Sequence, residues 1–464
     1  MSEGTKSFPY LKDVAKGAGV GLGILALIIG GFSIGGFGAA PSKSSSAQAS
    51  SSTVVTPSAS PTDARTCSVA ADAADTRFGN LQASVIDAAT GAVLFDRGGD
   101  TPAATASTMK LLTAGAALTV LGPNYRVDTN VYQDPANPGT IILVGGGDPT
   151  LSRTAPGVQS VYQDAPKLST LAVAVNAKMA GTPITKIIVD SSKFAGPSWE
   201  PSWERTEQTQ GYMSEVTALQ VDGDRANPQN ETSPRSTTPV LNAGKYFKQA
   251  LGPIAASATV VQGTNPLSAV QIAKVSSQPI SVWIKHMLQV SDNTEAEALA
   301  RLVSLDEGFD GSFSTLQAAI KQGLANTNLD TSNLVIKDGS GLSAMNAVPP
   351  SFLAKFSKLV LNGFGNYASI RDGLPVSGES GSLQARFGGA LKDAVGQVHA
   401  KTGWIKHGYT LAGYITARDK STLLFAIYAL GPNVQDNAKD AIDSCMATYH
   451  NTLSHFRRST ASAF

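Results

Sequence analysis

Three short motifs, each present once and far apart, constrain the fold of this 464-residue chain more than any other feature. The first, S-x-x-K, contains Ser107 and Lys110, while S-D-N occupies residues 291–293 and K-T-G occupies residues 401–403. Hydroxyl, amine and amide groups of this kind can carry out acyl transfer when they share one site. The question that the sequence raises is whether one fold brings the three segments together.

The first motif opens a predicted helix. Apolar residues between Met109 and Leu121 have the spacing of a buried helix, which a Gly-Pro pair would end. Ser107 and Lys110 would then lie one above the other in its first turn. Burial and nearby positive charge would keep the lysine neutral, so that it could take the serine's proton, and the N–H of Ser107 could face an oxyanion. The alternative is that the serine caps the helix and the lysine reaches solvent.

The second motif directly precedes a helical stretch, TEAEALARL. Taken alone, it would be an ordinary helix N-cap. In an enzyme, its hydroxyl and amide could pass a proton to a departing amine and hold a substrate carbonyl. Both interpretations remain open for residues 291–293 on their own.

The third motif lies at the end of a predicted strand and is followed by a hairpin that turns at residues 418–420. Such a strand edge can dock an extended peptide and donate a backbone N–H to an oxyanion. Lys401 and Thr402 could meanwhile attract and bind a free carboxylate.

The three motifs in this order are the signature of penicillin-binding proteins and class A β-lactamases. Here 184 residues separate Ser107 from Ser291, far more than the short helical segment found between these motifs in β-lactamases. The chain therefore resembles the class C low-molecular-mass penicillin-binding proteins, the D-alanyl-D-alanine carboxypeptidase/endopeptidase family, which carries extra domains at this point. Four further stretches resemble family signatures, namely LVGGGDPTLS, YMSEVTALQVDGD, KDGSGLS and LPVSGESGSLQARF.

The resemblance implies a catalytic role for residues of the first two motifs. Ser107 would be the acylated nucleophile and Lys110 its base. Ser291 would relay a proton, and Asn293 would contact the substrate amide.

For the third motif, the resemblance implies that Lys401 and Thr402 engage the terminal carboxylate of the substrate. The oxyanion hole would combine the N–H of Ser107 with that of Trp404, the residue after Gly403. The family usually has a small hydroxyl residue at this place, so the shape of the pocket beside Trp404 stays open.

Trp203 and Tyr212 lie close to Trp199 in the sequence, where the family's chain returns toward the active site. They are expected to wall the pocket for the side chain of the stem peptide. The alternative is that these aromatic residues only pack.

The implied reaction removes a terminal D-alanine from the stem peptides of peptidoglycan, or cuts a D-alanine cross-link, through an acyl-enzyme. β-Lactam antibiotics would acylate the same serine, and no cofactor is expected. A class A β-lactamase would need a glutamate, generally in an E-x-x-x-N arrangement, and no Glu here has Asn four residues later. Slow deacylation of penicillin is therefore predicted. An esterase or amidohydrolase with the same machinery and a noncatalytic wall-binding protein are also compatible with the motifs.

The implied fold class is α/β (α+β), an antiparallel sheet flanked by helices with an all-helical subdomain and a large, mostly β insertion between the first two motifs. Residues 66–118 and 274–460 would form the penicillin-binding domain, and residues 119–273 the inserted domain or domains. Within the insertion, TNVYQDPANPGTIILVGG predicts a hairpin and ITKIIVDSSKF a short strand.

Residues 17–40 form an uncharged, apolar segment long enough to span a bilayer, for which about 20 residues suffice. Three lysines precede it, so the positive-inside bias puts residues 1–16 in the cytoplasm and the rest of the chain in the cell envelope outside it. A cleaved signal peptide, which would release the protein, is the alternative. Residues 41–65 are rich in Ser and Pro and predict a disordered tether.

A net charge of +1 without a basic stripe argues against nucleic acid as a partner. Cys67 and Cys445 bracket the folded part of the chain and could form a disulfide outside the cytoplasm, while two separate buried thiols are the alternative. The five histidines show no H-E-x-x-H or other ligand spacing, so no metal site is predicted.

Overall fold

The computed structural model describes residues 69–452, and two five-stranded sheets organise this part of the chain. The strands are β1 (Asn80–Asp87), β2 (Val93–Arg97), β3 (Asp128–Gln133), β4 (Thr140–Val144), β5 (Lys186–Asp190), β6 (Thr259–Gln262), β7 (Val270–Ser276), β8 (Val398–Ile405), β9 (Gly408–Thr416) and β10 (Thr422–Leu430). The α-helices are α1 (Ala70–Ala73), α2 (Lys110–Val120), α3 (Leu168–Met179), α4 (Thr206–Gln210), α5 (Pro239–Leu251), α6 (Ile280–Val290), α7 (Asn293–Asp306), α8 (Leu316–Gly323), α9 (Pro350–Leu361), α10 (Ala368–Arg371) and α11 (Ala438–Thr452).

The first sheet is antiparallel, with strand order β2-β1-β10-β9-β8. The hairpin predicted to turn at residues 418–420, β9–β10, is confirmed, and β1 and β2 form a second hairpin. β8, which carries the K-T-G motif, is an edge strand, as the sequence indicated. The third motif therefore lies where a strand has an open side.

Both faces of the first sheet are covered, which explains the continuous apolar run of β10. Leu424 and Tyr428 face a core shared with α2, α7 and α9, whereas Phe425 and Ile427 face a core shared with α11. Successive side chains of a strand point to opposite faces, so a strand buried on both sides must be apolar throughout. The helical layer on the first of these faces holds the first two motifs.

The second sheet has strand order β6-β5-β4-β3-β7 and is mixed. β3 pairs antiparallel with β4 and β7, which confirms the predicted hairpin, and β4, β5 and β6 run parallel. The sequence indicated a mostly β insertion, but the structure adds two long helices here, α3 and α5, which pack on the sheet core. The reason is topological, because parallel neighbours need a crossover connection, usually a helix.

The division of the chain into domains at residues 118 and 273 stays a prediction. β7 belongs to the second sheet and runs to Ser276. Within residues 69–452, no helix is both long enough and apolar enough to cross a bilayer. The predicted membrane segment, the tether and Cys67 lie outside the described residues, so the Cys67–Cys445 disulfide also stays a prediction.

Candidate active site

Ser107 and Lys110 lie where a 3-10 turn, Ala106–Met109, leads into α2. The turn is tighter than the α-helical first turn that the spacing predicted. Lys110 Nζ lies 2.8 Å from Ser107 Oγ and donates a hydrogen bond to it. Lys110 is fully buried, so the alternative in which this lysine reaches solvent is wrong.

Lys110 also joins the first motif to two distant segments. Its Nζ donates to Asn293 Oδ1 at 2.6 Å and to the carbonyl oxygen of Ser340 at 2.7 Å. These three acceptors use all three protons of an ammonium group. A neutral amine has two protons and can donate to only two of the three acceptors. The lysine is therefore fixed in position between the nucleophile and the second motif.

Burial lowers the pKa of Lys110 to about 8 from its ordinary value of 10.5, against the opposing charges of Asp338, Glu297 and Asp292. On the order of one tenth of the amine is then neutral at pH 7. From the sequence we expected burial and nearby positive charge both to lower this pKa. Burial does lower the pKa of Lys110, whereas the three carboxyl groups raise it.

The S-D-N motif connects α6 to α7 in a sharp change of direction. Ser291 has left-handed backbone angles, with φ of 64°, at the end of α6, and Asp292 is the N-cap of α7 through a hydrogen bond from Glu295 N. A non-glycine residue in this region is uncommon and tends to occur at functional sites. Asn293 Nδ2 donates to the carbonyl oxygen of Tyr212 at 3.0 Å, which orients the amide with its oxygen toward Lys110.

Lys401 links the third motif to the second. Its Nζ donates to Ser291 Oγ at 2.9 Å and to the carbonyl oxygen of Thr402 at 2.7 Å, and the side chain is fully buried. Burial and the charge of Lys110 hold its pKa well below the ordinary value of a lysine. Each motif serine thus has a buried lysine amine within hydrogen-bond distance.

Gly403 lets the edge strand β8 approach the nucleophile. A Cβ atom on this residue would lie 2.1 Å from Thr410 Oγ1 and 2.9 Å from both Ser107 N and Ala106 Cβ. Any side chain there would force the strand away from the 3-10 turn. The amides of Ser107 and Trp404, which the family resemblance implies form the oxyanion hole, thereby belong to segments in direct contact.

A cleft of about 570 Å³ opens over these groups. Trp404 and Tyr212 lie in its lining and are 49% and 44% exposed. The cleft is also lined by Ser107, Ser291, Asn293, Thr402 and Gly403. The structure therefore brings the residues of all three motifs to one concave site.

Trp203 does not wall this cleft, contrary to our expectation. It is 5% exposed, its Nε1 donates to Asp338 Oδ2 at 2.7 Å, and its ring packs edge-on against Trp199 and Phe313. Trp203 therefore packs in the interior, which is the alternative that the sequence left open. Tyr212, in contrast, is not buried. The chain leaves α4 at Gly211 and turns toward Asn293, which places Tyr212 at the cleft.

Two buried carboxyl groups beneath Lys110 were not foreseen. Glu297 accepts the backbone N–H groups of Gly339 and Ser340, and Asp338 accepts those of Gly341 and Ser343. Both thus shape the loop whose Ser340 carbonyl holds Lys110. The KDGSGLS signature marked this loop in the sequence, but no local pattern indicated that it meets the lysine.

A second buried cluster lies under the S-D-N motif. Arg225 pairs with Asp292, and His286 lies between Glu295 and Glu231, with Nδ1 and Nε2 2.7 and 3.1 Å from their carboxylate oxygens. Ligand atoms of His286, Asp292 and Glu295 lie within 4.8 Å of one another, a spacing that could suit a metal ion. Both acids already have a partner in this geometry, the guanidinium of Arg225 for Asp292 and the imidazole for Glu295, so the cluster is balanced by protein groups.

Comparisons with known proteins found relatives over most of this chain. The model of the D-Ala-D-Ala carboxypeptidase 3 (S13) family matches residues 66–235 and 224–450. A carboxypeptidase of Mycobacterium tuberculosis is 35% identical over 398 residues, 84% of each chain, and the carboxypeptidase DacB of Mycolicibacterium smegmatis is 33% identical over 386 residues, 82% of each chain. The crystal structure of penicillin binding protein 4 from Haemophilus influenzae superimposes with a TM-score of 0.67 at 19% identity, covering 81% of this chain and 96% of that one. The last similarity concerns the fold.

Proposed function

Because the chain belongs to the D-Ala-D-Ala carboxypeptidase 3 (S13) family, we propose that the described cleft carries out the family's serine peptidase reaction through Ser107. The substrate is a peptidoglycan stem peptide ending in D-Ala-D-Ala. The observation that carries the proposal is the position of Lys110 Nζ, 2.8 Å from Ser107 Oγ and 2.6 Å from Asn293 Oδ1. A lysine placed in this way can serve both the nucleophile and the substrate amide site.

In the acylation step, Ser107 Oγ attacks the carbonyl carbon of the penultimate D-alanine while its proton passes to neutral Lys110. The N–H groups of Ser107 and Trp404 bind the negative oxygen of the tetrahedral intermediate. When the carbon–nitrogen bond breaks, Ser291 gives its hydroxyl proton to the leaving amine and is reprotonated by the proton that Lys110 took from Ser107, so that Lys110 is neutral again. The Ser291 hydroxyl also contacts Lys401. The products are an ester on Ser107 and free D-alanine.

In the deacylation step, water attacks the ester, and Lys110 accepts the proton of the water before Ser107 regains one. No glutamate has the E-x-x-x-N arrangement of a class A β-lactamase, so the penicillin ester persists. This argument favours a penicillin-binding peptidase over a β-lactamase.

Mass spectrometry after brief exposure of the purified full chain to benzylpenicillin tests the proposal. We expect a long-lived adduct on the peptide that contains Ser107, and none on the Ser107→Ala variant. Rapid turnover of penicillin would favour a β-lactamase, and the absence of an adduct would favour a noncatalytic protein. Assays with a pentapeptide stem and with a cross-linked dimer measure carboxypeptidase and endopeptidase activity separately.

The proposed location follows from the substrate. Peptidoglycan lies outside the cytoplasmic membrane, and residues 17–40 would hold the enzyme there with residues 41–65 as a tether. Membrane fractionation with protease treatment of intact spheroplasts tests this. An anchored protein stays in the membrane fraction and loses its extracytoplasmic part, whereas a protein with a cleaved signal peptide appears in the soluble fraction.

A further inference from the structure

The residue after K-T-G leaves the cleft without an expected hydroxyl. Thr402 and Trp404 are alternate residues of β8, so their side chains point to the same face, and both line the cleft. A small hydroxyl residue at position 404 would stand beside Thr402 on that face. The indole of Trp404 is much larger and has no hydroxyl, so it cannot bind a carboxylate in the same way.

A different segment supplies a hydroxyl at this place. Ser382 lies in the 3-10 turn Gly381–Leu383, lines the same cleft, and has its Oγ 2.7 Å from Thr402 Oγ1. Two hydroxyls at this distance form a hydrogen bond with each other. When an anion arrives, each can turn its proton toward one carboxylate oxygen.

The turn that carries Ser382 is held firmly. Gly381 has φ of 55°, and a Cβ atom there would lie 2.5 Å from Gln289 Oε1 and 2.8 Å from the carbonyl oxygen of Gln289. Leu383 is fully buried on the other side of the turn. The turn that carries Ser382 thus lies against the C-terminal end of α6, next to Gln289, and its backbone needs little ordering when substrate binds.

We propose that Ser382 is a substrate-binding residue, which together with Thr402 holds the terminal carboxylate of the substrate and replaces the hydroxyl missing at position 404. The inference rests on the proposed function, because it assigns a carboxylate to the leaving group. It concerns ground-state and transition-state binding of the leaving group and leaves the nucleophile and its base unchanged.

The test compares two D-alanyl thioesters that share the acyl part and differ only in whether the leaving thiol carries a carboxylate. With Ser382→Ala, we expect kcat/KM for the carboxylate thioester to fall about tenfold, and kcat/KM for the neutral thioester to change less than twofold. Gln384→Ala is the matched control, because this exposed residue follows the same turn and does not line the cleft. It should behave as the unmodified protein with both thioesters.

The double variant Ser382→Ala, Trp404→Ser restores a hydroxyl next to Thr402 from the strand. We expect it to recover most of the lost activity on the carboxylate thioester. The proposal is overturned if Ser382→Ala lowers both activities equally, or lowers neither. If the unmodified protein hydrolyses neither thioester and forms no penicillin adduct, the proposed function itself fails.

Discussion

Arg225 and Asp292 form a buried ion pair, with the guanidinium 2.6 Å from Asp292 Oδ2 and both side chains at most 2% exposed. Tyr162 contacts the same guanidinium, and Asp292 also accepts the N–H of Glu295. Arg225 lies between α4 and α5, whereas Asp292 is the central residue of S-D-N. The pair thus ties two distant parts of the chain directly beneath the site.

Replacing Arg225 by Met should leave Asp292 charged and unpaired in the interior. We expect the free energy of unfolding, measured by urea denaturation, to fall by about 3–5 kcal/mol. Adding Asp292→Asn should restore part of it, since Asn still caps α7. Arg418→Met is the control, because the pair of Arg418 with Asp393 is 44% exposed on both sides and its loss should change stability by less than about 1 kcal/mol. Equal effects of Arg225→Met and Arg418→Met would contradict the argument.

The acylation rate should depend on the protonation of Lys110. Its pKa is lowered to about 8, and only the neutral amine can accept the proton of Ser107. The second-order rate constant for penicillin acylation should therefore rise about tenfold per pH unit below pH 7.5 and level off above pH 8.5. Stopped-flow measurements between pH 5.5 and 9.5 check this. A flat profile over that range would show that Lys110 is not the base.

The close approach of β8 to the nucleophile predicts a strong effect of one methyl group. Gly403→Ala places a Cβ atom 2.1 Å from Thr410 Oγ1 and 2.9 Å from Ser107 N, so the strand must shift and the two oxyanion donors must separate. We expect penicillin acylation to slow by about 100-fold or more. Gly388→Ala is the matched control, because a Cβ there meets no heavy atom within 4 Å and the backbone has φ of −80°. A normal acylation rate for Gly403→Ala would contradict the oxyanion-hole assignment.

The imidazole of His286 should remain charged in neutral solution. Burial lowers its pKa, but the charges of Glu295 and Asp292 and the hydrogen bonds to Glu231 and Glu295 outweigh burial and raise it to about 11 from 6.5. Because the folded-state pKa is raised, the contribution of the His286 charge to stability is lost as the pH rises from 6.5 to 11. Burial raises the pKa of its partner Glu295 to about 7, so the charge of Glu295 is itself lost as the pH falls below that value. Nitrogen-15 NMR of the histidine side chains at pH 8 should show His286 doubly protonated. The stability of His286→Gln should depend less on pH over this range, and a neutral His286 at pH 8 would refute the prediction.

Much of the site could be predicted from local sequence. The spacing of Ser107 and Lys110 places them within one turn in either helix type, and the alternation of apolar residues around the turn at 418–420 predicts the β9–β10 hairpin. The order of the motifs indicated the family, which the family match over most of the chain confirms. These features depend on residues close together in the chain, or on a pattern that the family shares.

Only the tertiary structure decided which distant groups meet. The contact of Lys110 with Ser340 spans 230 residues, that of Lys401 with Ser291 spans 110, and the hydroxyl pair of Ser382 and Thr402 joins a turn to a strand edge. The same packing buried Trp203 against Phe313. Periodicity and spacing report the face and type of one element, whereas the pKa of Lys110 and the shape of the cleft arise from how several elements pack, and no local pattern encodes that packing.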